Sequence, residues 1–206
     1  DAELDRSLIL RAIDHVRDRP IEIEPRRSTP AATGGFPRIP REEHLQPGRA
    51  LGMLGDAGWG KLVQRGRSKD GRFDDELVEA AVALIANWKP DPAPSWVTAV
   101  PSLRHPELVG EFAERLAGAL GLPYVAAVRK TKETREQTKM ANSRQQFVNV
   151  QGAFAVDKAA CDPRPVLLVD DTIDSKWTMT EVGRGLRRAG VVAVWPLALA
   201  SSVYGG

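Results

Sequence analysis

The stretch from Val166 to Thr178, Val-Leu-Leu-Val-Asp-Asp-Thr-Ile-Asp-Ser-Lys-Trp-Thr, constrains this chain more than any other. Four apolar residues run straight into two adjacent carboxylates. Such a run suits an inner parallel strand buried on both faces, and its end is where an open α/β sheet keeps its ligands. Short polar residues follow. Thr178 and Glu181 have capping-box spacing, which predicts a helix starting at Thr178. Its first N–H groups then face back into a loop of hydroxyls, a ready anion site. Paired carboxylates ahead of an anion loop point to a ligand with hydroxyls at one end and phosphate at the other, such as ribose 5-phosphate. The plainer reading is a strand, an acidic turn and a capped helix of any doubly wound protein.

Two strand–helix–strand units are readable around this stretch. In the first, Trp96–Val100 is a strand by composition and Pro101–His105 its loop. Pro106 suits the first turn of a helix whose buried stripe is Leu108, Val109, Phe112, Ala113, Leu116 and Leu120. Gly121 stops that helix, and Tyr124–Val128 is the next predicted strand. In the second, the strand at 166 leads to a helix over 178–189 that buries Met179, Val182 and Leu186. Gly190 ends it, and a strand follows over 191–200. Two right-handed crossovers of this kind make a doubly wound parallel sheet, with its ligand site where Val100, Val128 and Asp170 point. Upstream, Asp74 or Asp75 caps a helix carrying Leu77, Val78, Ala81, Val82, Ile85 and Trp88.

The N-terminal part reads differently. Residues 3–17 place Leu4, Leu8, Ala12, Ile13 and Val16 on one helical face, and Pro20 stops that helix. Ile21–Glu24 alternates like a short strand, so helix and strand together resemble the tail of a winged-helix module. Residues 25–47 hold five prolines and no periodicity, as a linker or a surface loop would. The expected division is an extension over 1–50 and the main domain over 51–206. Gly55–Lys61 matches the G-x-x-x-x-G-K part of a P-loop, but Leu62 stands where the metal-binding hydroxyl belongs, so it is read as a Gly/Trp turn. Lys61, Arg65, Arg67, Lys69 and Arg72 follow as a basic cluster, either a solvated face or a nucleic-acid surface.

Arg129–Phe154 is too long and too charged for an ordinary connection. Arg129, Lys130, Lys132, Arg135, Lys139 and Arg144 make anions its natural partners. The net charge of +2 over 206 residues is too small to identify such a partner by itself. Cys161 is the one cysteine, which excludes a disulfide framework and points to a reducing cytoplasm. No apolar run approaches a membrane span. The chain opens at Asp1 rather than Met, as a piece of a longer protein would.

Val166–Thr178 resembles the 5-phosphoribosyl-1-pyrophosphate (PRPP) motif of type I phosphoribosyltransferases. That resemblance implies that Asp170 and Asp171 hold the ribose 2′- and 3′-hydroxyls, and that Thr172, Asp174, Ser175 and Thr178 surround the 5′-phosphate. Lys176 stands where the family usually has Gly, because the loop turns tightly there. Val128–Thr131, Gln137, Ser143–Gln146 and Asn149–Phe154 look like the flexible loop of ComF-type phosphoribosyltransferases. Val100-Pro-Ser-Leu-Arg-His105 is similar to their pyrophosphate loop, which brings Ser102, Arg104 and Lys130 into the substrate site. Ile21–Arg26, Gly55–Gly60, Arg72–Leu77 and Thr98–Pro106 look like the C-terminal region of bacterial RecQ-like DNA helicases, where such a domain follows the motor.

Two functions from different classes follow from the resemblance. One is a transferase using PRPP with Mg²⁺, with Arg104, Lys130 and Arg135 near the leaving pyrophosphate and Asp174 as candidate general base. For Asp174 the alternative is a loop residue bonding its own backbone. The other is an accessory domain of a helicase whose ATPase motor lies N-terminal to this chain. There Lys61, Arg65, Arg67, Arg129, Lys130, Lys132, Arg135 and Lys139 bind DNA phosphates, and the inherited pocket holds a phosphate, a DNA end or nothing, with PRPP or ribose 5-phosphate as a further candidate ligand. No resident metal is expected. The accessory reading is favoured, because Lys176 crowds a turn and no hood for a nucleobase is evident.

Overall fold

The computed structural model describes residues 2–31, 35–102, 105–134 and 143–203. Among these residues the helices are α1 (Ala2–Arg17), α2 (Gly60–Arg65), α3 (Asp75–Trp88), α4 (Pro106–Leu120), α5 (Ser143–Val150) and α6 (Trp177–Arg188). The strands are β1 (Ile21–Ile23), β2 (Gly48–Met53), β3 (Trp96–Ala99), β4 (Val128–Lys130), β5 (Phe154–Val156), β6 (Val166–Ile173) and β7 (Val194–Ser201). One five-stranded sheet has the order β1-β2-β7-β6-β3, and β4 and β5 form a separate antiparallel pair. Within the large sheet β2, β7, β6 and β3 are parallel, and only β1 runs against its neighbour. The fold is therefore α/β, a mostly parallel sheet flanked by helices.

Alternation along β6 divides the core in two. Leu167 and Val169 pack with Leu77, Leu84, Phe112 and Leu116 of α3 and α4. Val166 and Leu168 pack with Met179, Val182 and Leu186 of α6. An inner strand buried on both faces is what the continuous apolar run predicts. Local signals hold as well. The Asp74 carboxylate accepts from the Glu76 N–H at the start of α3, and Gly121 closes α4 at φ +67°.

Three boundaries differ from the sequence expectation. Tyr124–Val128 is not a strand of the sheet. Tyr124 makes a single bridge to Val97, after which the chain turns away and Val128 enters the β4–β5 pair. β6 continues past its acids, because Thr172 and Ile173 still pair with Ala200 and Ser201. Helix α6 begins at Trp177 rather than Thr178, with no side-chain cap, and Glu181 bonds Arg184 instead of reaching back.

The segment before β2 is joined to the sheet rather than detached from it. Ile21–Ile23 is the outermost strand, registered on Gly48–Ala50. Arg26 and residues 42–45 lie along α6. Glu43 pairs with Arg184 at 2.8 Å and Arg188 at 2.7 Å, and Leu45 sits so close to Gly183 that a side chain there would collide with it. Helix α1 is attached through Arg17, which pairs with Glu76 at 2.8 Å and lies 4.2 Å over the Trp59 ring. Of its predicted apolar stripe, Leu8 and Ala12 are exposed while Ile13 and Val16 are half-buried.

The two sides of the sheet end differently from its middle. Pro20 and Pro25 lie on either side of β1. At the other side, Val97 exchanges two backbone hydrogen bonds with Pro123 and Val125, each 2.9 Å.

Candidate functional site

The site is built where β6 passes into α6. By the alternation above, Asp170 shares the α6 side with Leu168, and Asp171 faces the side of α2 and α3. Asp170 is 8% exposed, and its Oδ1 accepts the Asp171 N–H at 2.8 Å. Asp171 accepts the Thr172 hydroxyl on Oδ1 at 3.0 Å and an ion pair from Arg67 Nε on Oδ2 at 2.9 Å. Burial, reinforced by the neighbouring Asp171 carboxylate, pushes the Asp170 carboxyl well above the usual carboxylate range, and Arg67 opposes part of that rise.

Next comes the turn that carries Lys176 at φ +68°, ψ −6°, the left-handed conformation in which glycine is free of strain. Its surroundings hold it. Arg26 donates from Nε to the Ser175 carbonyl at 3.1 Å and lies 5.1 Å from the Trp177 ring centre. The Arg26 N–H reaches the Thr180 hydroxyl at 3.2 Å. Burial, with Arg26 nearby, lowers the Lys176 ammonium below its ordinary value. Trp177, fully buried, donates from Nε1 to the Ser143 hydroxyl at 3.1 Å and packs on Phe147. The turn at 175–177 is thus anchored both to the N-terminal segment and to α5.

Ser102, Lys130, Asp170, Asp171, Thr172, Asp174, Ser175, Lys176 and Thr178 all line one cleft of about 570 Å³. Arg104, Arg135 and Lys139 lie outside the described residues. Asp174 does not bond its own backbone. Its Oδ1 accepts the Ser202 hydroxyl at 3.0 Å, and its Oδ2 is buried with no hydrogen-bond partner among the described residues. Sequence reasoning missed Thr134, which accepts from Lys130 Nζ at 2.8 Å, and Glu133 beside it on the cleft wall. Neither carries a local signal beyond its place in a charged loop.

The basic cluster is dispersed rather than gathered. Arg65 pairs with Asp70 and Asp74, and Arg72 with Asp75 and Glu111. Lys61 is exposed on α2, and Arg129 on β4. Lys132 donates to the Gln151 carbonyl at 2.7 Å. Arg67 alone of the cluster turns into the cleft. The glycine turn at 55–61 is closed to an outside anion, because Asp56 fills it. Its carboxylate accepts the N–H groups of Met53, Gly58 and Gly60 at 2.8, 2.9 and 2.8 Å.

No protein-family model and no curated protein sequence matches this chain. A buried carboxyl, a carboxylate and several hydroxyls stand at one end, with a cation and the start of α6 at the other. Such an arrangement can offer acceptors to hydroxyl groups and a positive charge to an anion.

The Asp170 carboxyl makes the stability of the domain depend on pH. A carboxyl whose pKa rises on folding holds its proton more tightly folded than unfolded. Its stabilising contribution is complete below the unfolded carboxylate range near ~4 and is lost as pH rises through the higher folded value. Asp170→Asn, which keeps the Oδ1 acceptor, is therefore expected to raise stability at neutral pH and to leave it unchanged in acid. Denaturant midpoints of both proteins across this range check the sign; a gain confined to acid pH would refute it.

Proposed function

We propose that this chain is an accessory domain of type I phosphoribosyltransferase fold in a bacterial RecQ-like DNA helicase. In this reading it acts in the cytoplasm, its cleft holds a 5-phosphorylated pentose, and its basic surface meets DNA. The observation that carries the pocket assignment is the meeting of Asp170 and Asp171 with Ser175, Lys176 and Thr178 on one cleft. The carboxyl groups suit sugar hydroxyls, and the α6 N-terminus with Lys176 suits a phosphate. The helicase context rests on the sequence likeness at 21–26, 55–60, 72–77 and 98–106. No helix among the described residues is long and apolar enough to cross a membrane.

A PRPP-dependent transferase is the second reading, favoured by one observation: Asp174 lines the same cleft with a buried, unpartnered oxygen. Against it, Lys176 stands at positive φ where the loop of that family usually carries glycine.

Calorimetric titration with ribose 5-phosphate and PRPP, alongside anisotropy with single-stranded and forked DNA, tests both readings. Asp170→Asn with Asp171→Asn is expected to weaken ribose 5-phosphate roughly tenfold, the scale of one lost charge-assisted hydrogen bond. Unchanged affinity would remove the sugar assignment. Lys176→Gly is expected to weaken ribose 5-phosphate binding, because it removes the ammonium at the phosphate end; tighter binding in the variant would mean that Lys176 blocks the phosphate rather than binding it. DNA affinity is expected to fall steeply with salt, and less steeply once Arg129 and Lys132 are both Ala.

A further inference from the structure

Arg67 reaches the cleft from an unexpected direction. It lies on the Gly66–Asp70 turn that extends α2 as one π-helical loop. Gly66 seats that turn against the core, since a side chain there would press on the Phe73 ring at 2.7 Å and the Arg72 carbonyl at 2.8 Å. Phe73 is itself fully buried against Phe112. The position of Arg67 is therefore set by core packing, while its side chain remains 41% exposed at the cleft mouth. The Asp171 side chain that it meets is only 16% exposed.

The charges at this end of the cleft nearly cancel. Asp171 carries one negative charge, Arg67 one positive, and Asp170 is pressed toward its neutral form by burial and by Asp171. A divalent cation bridging Asp171 to a ligand would have to share a carboxylate whose Oδ2 Arg67 Nε holds at 2.9 Å and whose Oδ1 already accepts the Thr172 hydroxyl. It would also meet the guanidinium charge at close range. Among the described residues no group of three or more His, Cys, Asp or Glu side chains is placed to hold a metal ion. The Mg²⁺ that the phosphoribosyltransferase resemblance implies does not fit beside Asp171 with Arg67 in this position.

We propose that Arg67 is the built-in cation of this cleft, so that it takes a 5-phosphorylated pentose without divalent metal and disfavours metal-bound pyrophosphate esters. The ligand half of this statement rests on the pocket reading above; the cation half does not. Asp171 is kept oriented by Arg67 and Thr172 and presents its carboxylate to a sugar hydroxyl. The phosphate is left to Lys176 and the α6 N-terminus.

Two measurements test it on the full chain, with Arg67→Gln and the charge-keeping Arg67→Lys. Melting curves confirm that each variant folds. In the first, Mn²⁺ is titrated and its free form followed by electron paramagnetic resonance, which needs no sugar ligand. Arg67→Gln is expected to gain a Mn²⁺ site that the parent and Arg67→Lys lack and that Asp171→Asn abolishes. No gain in Arg67→Gln, or equal uptake by the parent, overturns the proposal. In the second, ribose 5-phosphate is titrated with Mg²⁺ or with chelator. The parent is expected to bind equally in both, and Arg67→Gln roughly tenfold more weakly in chelator with recovery in Mg²⁺. Parent binding that requires Mg²⁺ overturns the proposal. If neither protein binds ribose 5-phosphate, the pocket reading falls and the Mn²⁺ result alone decides the role of Arg67.

Discussion

Trp177→Ala is expected to cost roughly 3–5 kcal/mol of stability, the range for emptying a buried aromatic site. Trp177 is 1% exposed, its ring centre is 4.9 Å from that of Phe147, and Arg26 covers it at 5.1 Å. Phe147, Val150 and Trp177 form a small core of their own, with Phe154 packed on it, so the loss falls on α5. Hydrogen exchange over 143–150 should then rise far more than over β6 or β7. The same change frees the turn at Lys176, and ribose 5-phosphate affinity should fall with it. A loss of stability under about 1 kcal/mol would mean that the cavity collapses and that α5 has other anchors.

Asp56→Ala is expected to be nearly as damaging. Three N–H groups, those of Met53, Gly58 and Gly60, converge on one carboxylate. Each hydrogen bond to a charged group contributes roughly 1.5–3 kcal/mol, and the three are not additive, so a loss of about 3–5 kcal/mol is expected. Asp56→Asn keeps one acceptor oxygen and should fall between parent and Ala. Gly60→Ala attacks the same turn sterically, because its new methyl group would run into the Met53 carbonyl. Urea unfolding of the three variants gives the order. If Asp56→Ala unfolds with the parent, water satisfies those N–H groups and the turn is not held by its carboxylate.

Much of this fold was legible because its signals are local. The apolar run at 166–169, the Asp74 cap, Pro106 and Gly121 each act within one turn or one strand, and each marks an element that forms. The positive φ at Lys176 was expected on other grounds, through the resemblance to a loop that usually carries glycine there, and the residue adopts it. The start of α6 was misplaced because Trp177 is drawn into a core supplied by α5, which outweighs the capping preference of Thr178. Tyr124–Val128 was misread because small apolar residues suit either a sheet edge or a two-stranded pair, and Ala127 and Val128 are buried beneath the latter. The Arg67–Asp171 contact was not legible at all. It joins two elements remote in sequence, and nothing in Arg65-Gly-Arg67 distinguishes the arginine that salt-bridges its neighbours from the one that enters the cleft.

The ends of the large sheet carry a consequence for how this domain meets other chains. A free strand edge is a template for another strand, but only where a row of N–H and C=O groups is open. At β1 that row is three residues long and lies between two prolines, which have no N–H to offer. At β3 the middle of the row is taken by the Pro123–Val125 segment. Both edges of the large sheet are thereby poor templates for edge-to-edge fibre growth, and a neighbouring protein that adds a strand would find little of either row open.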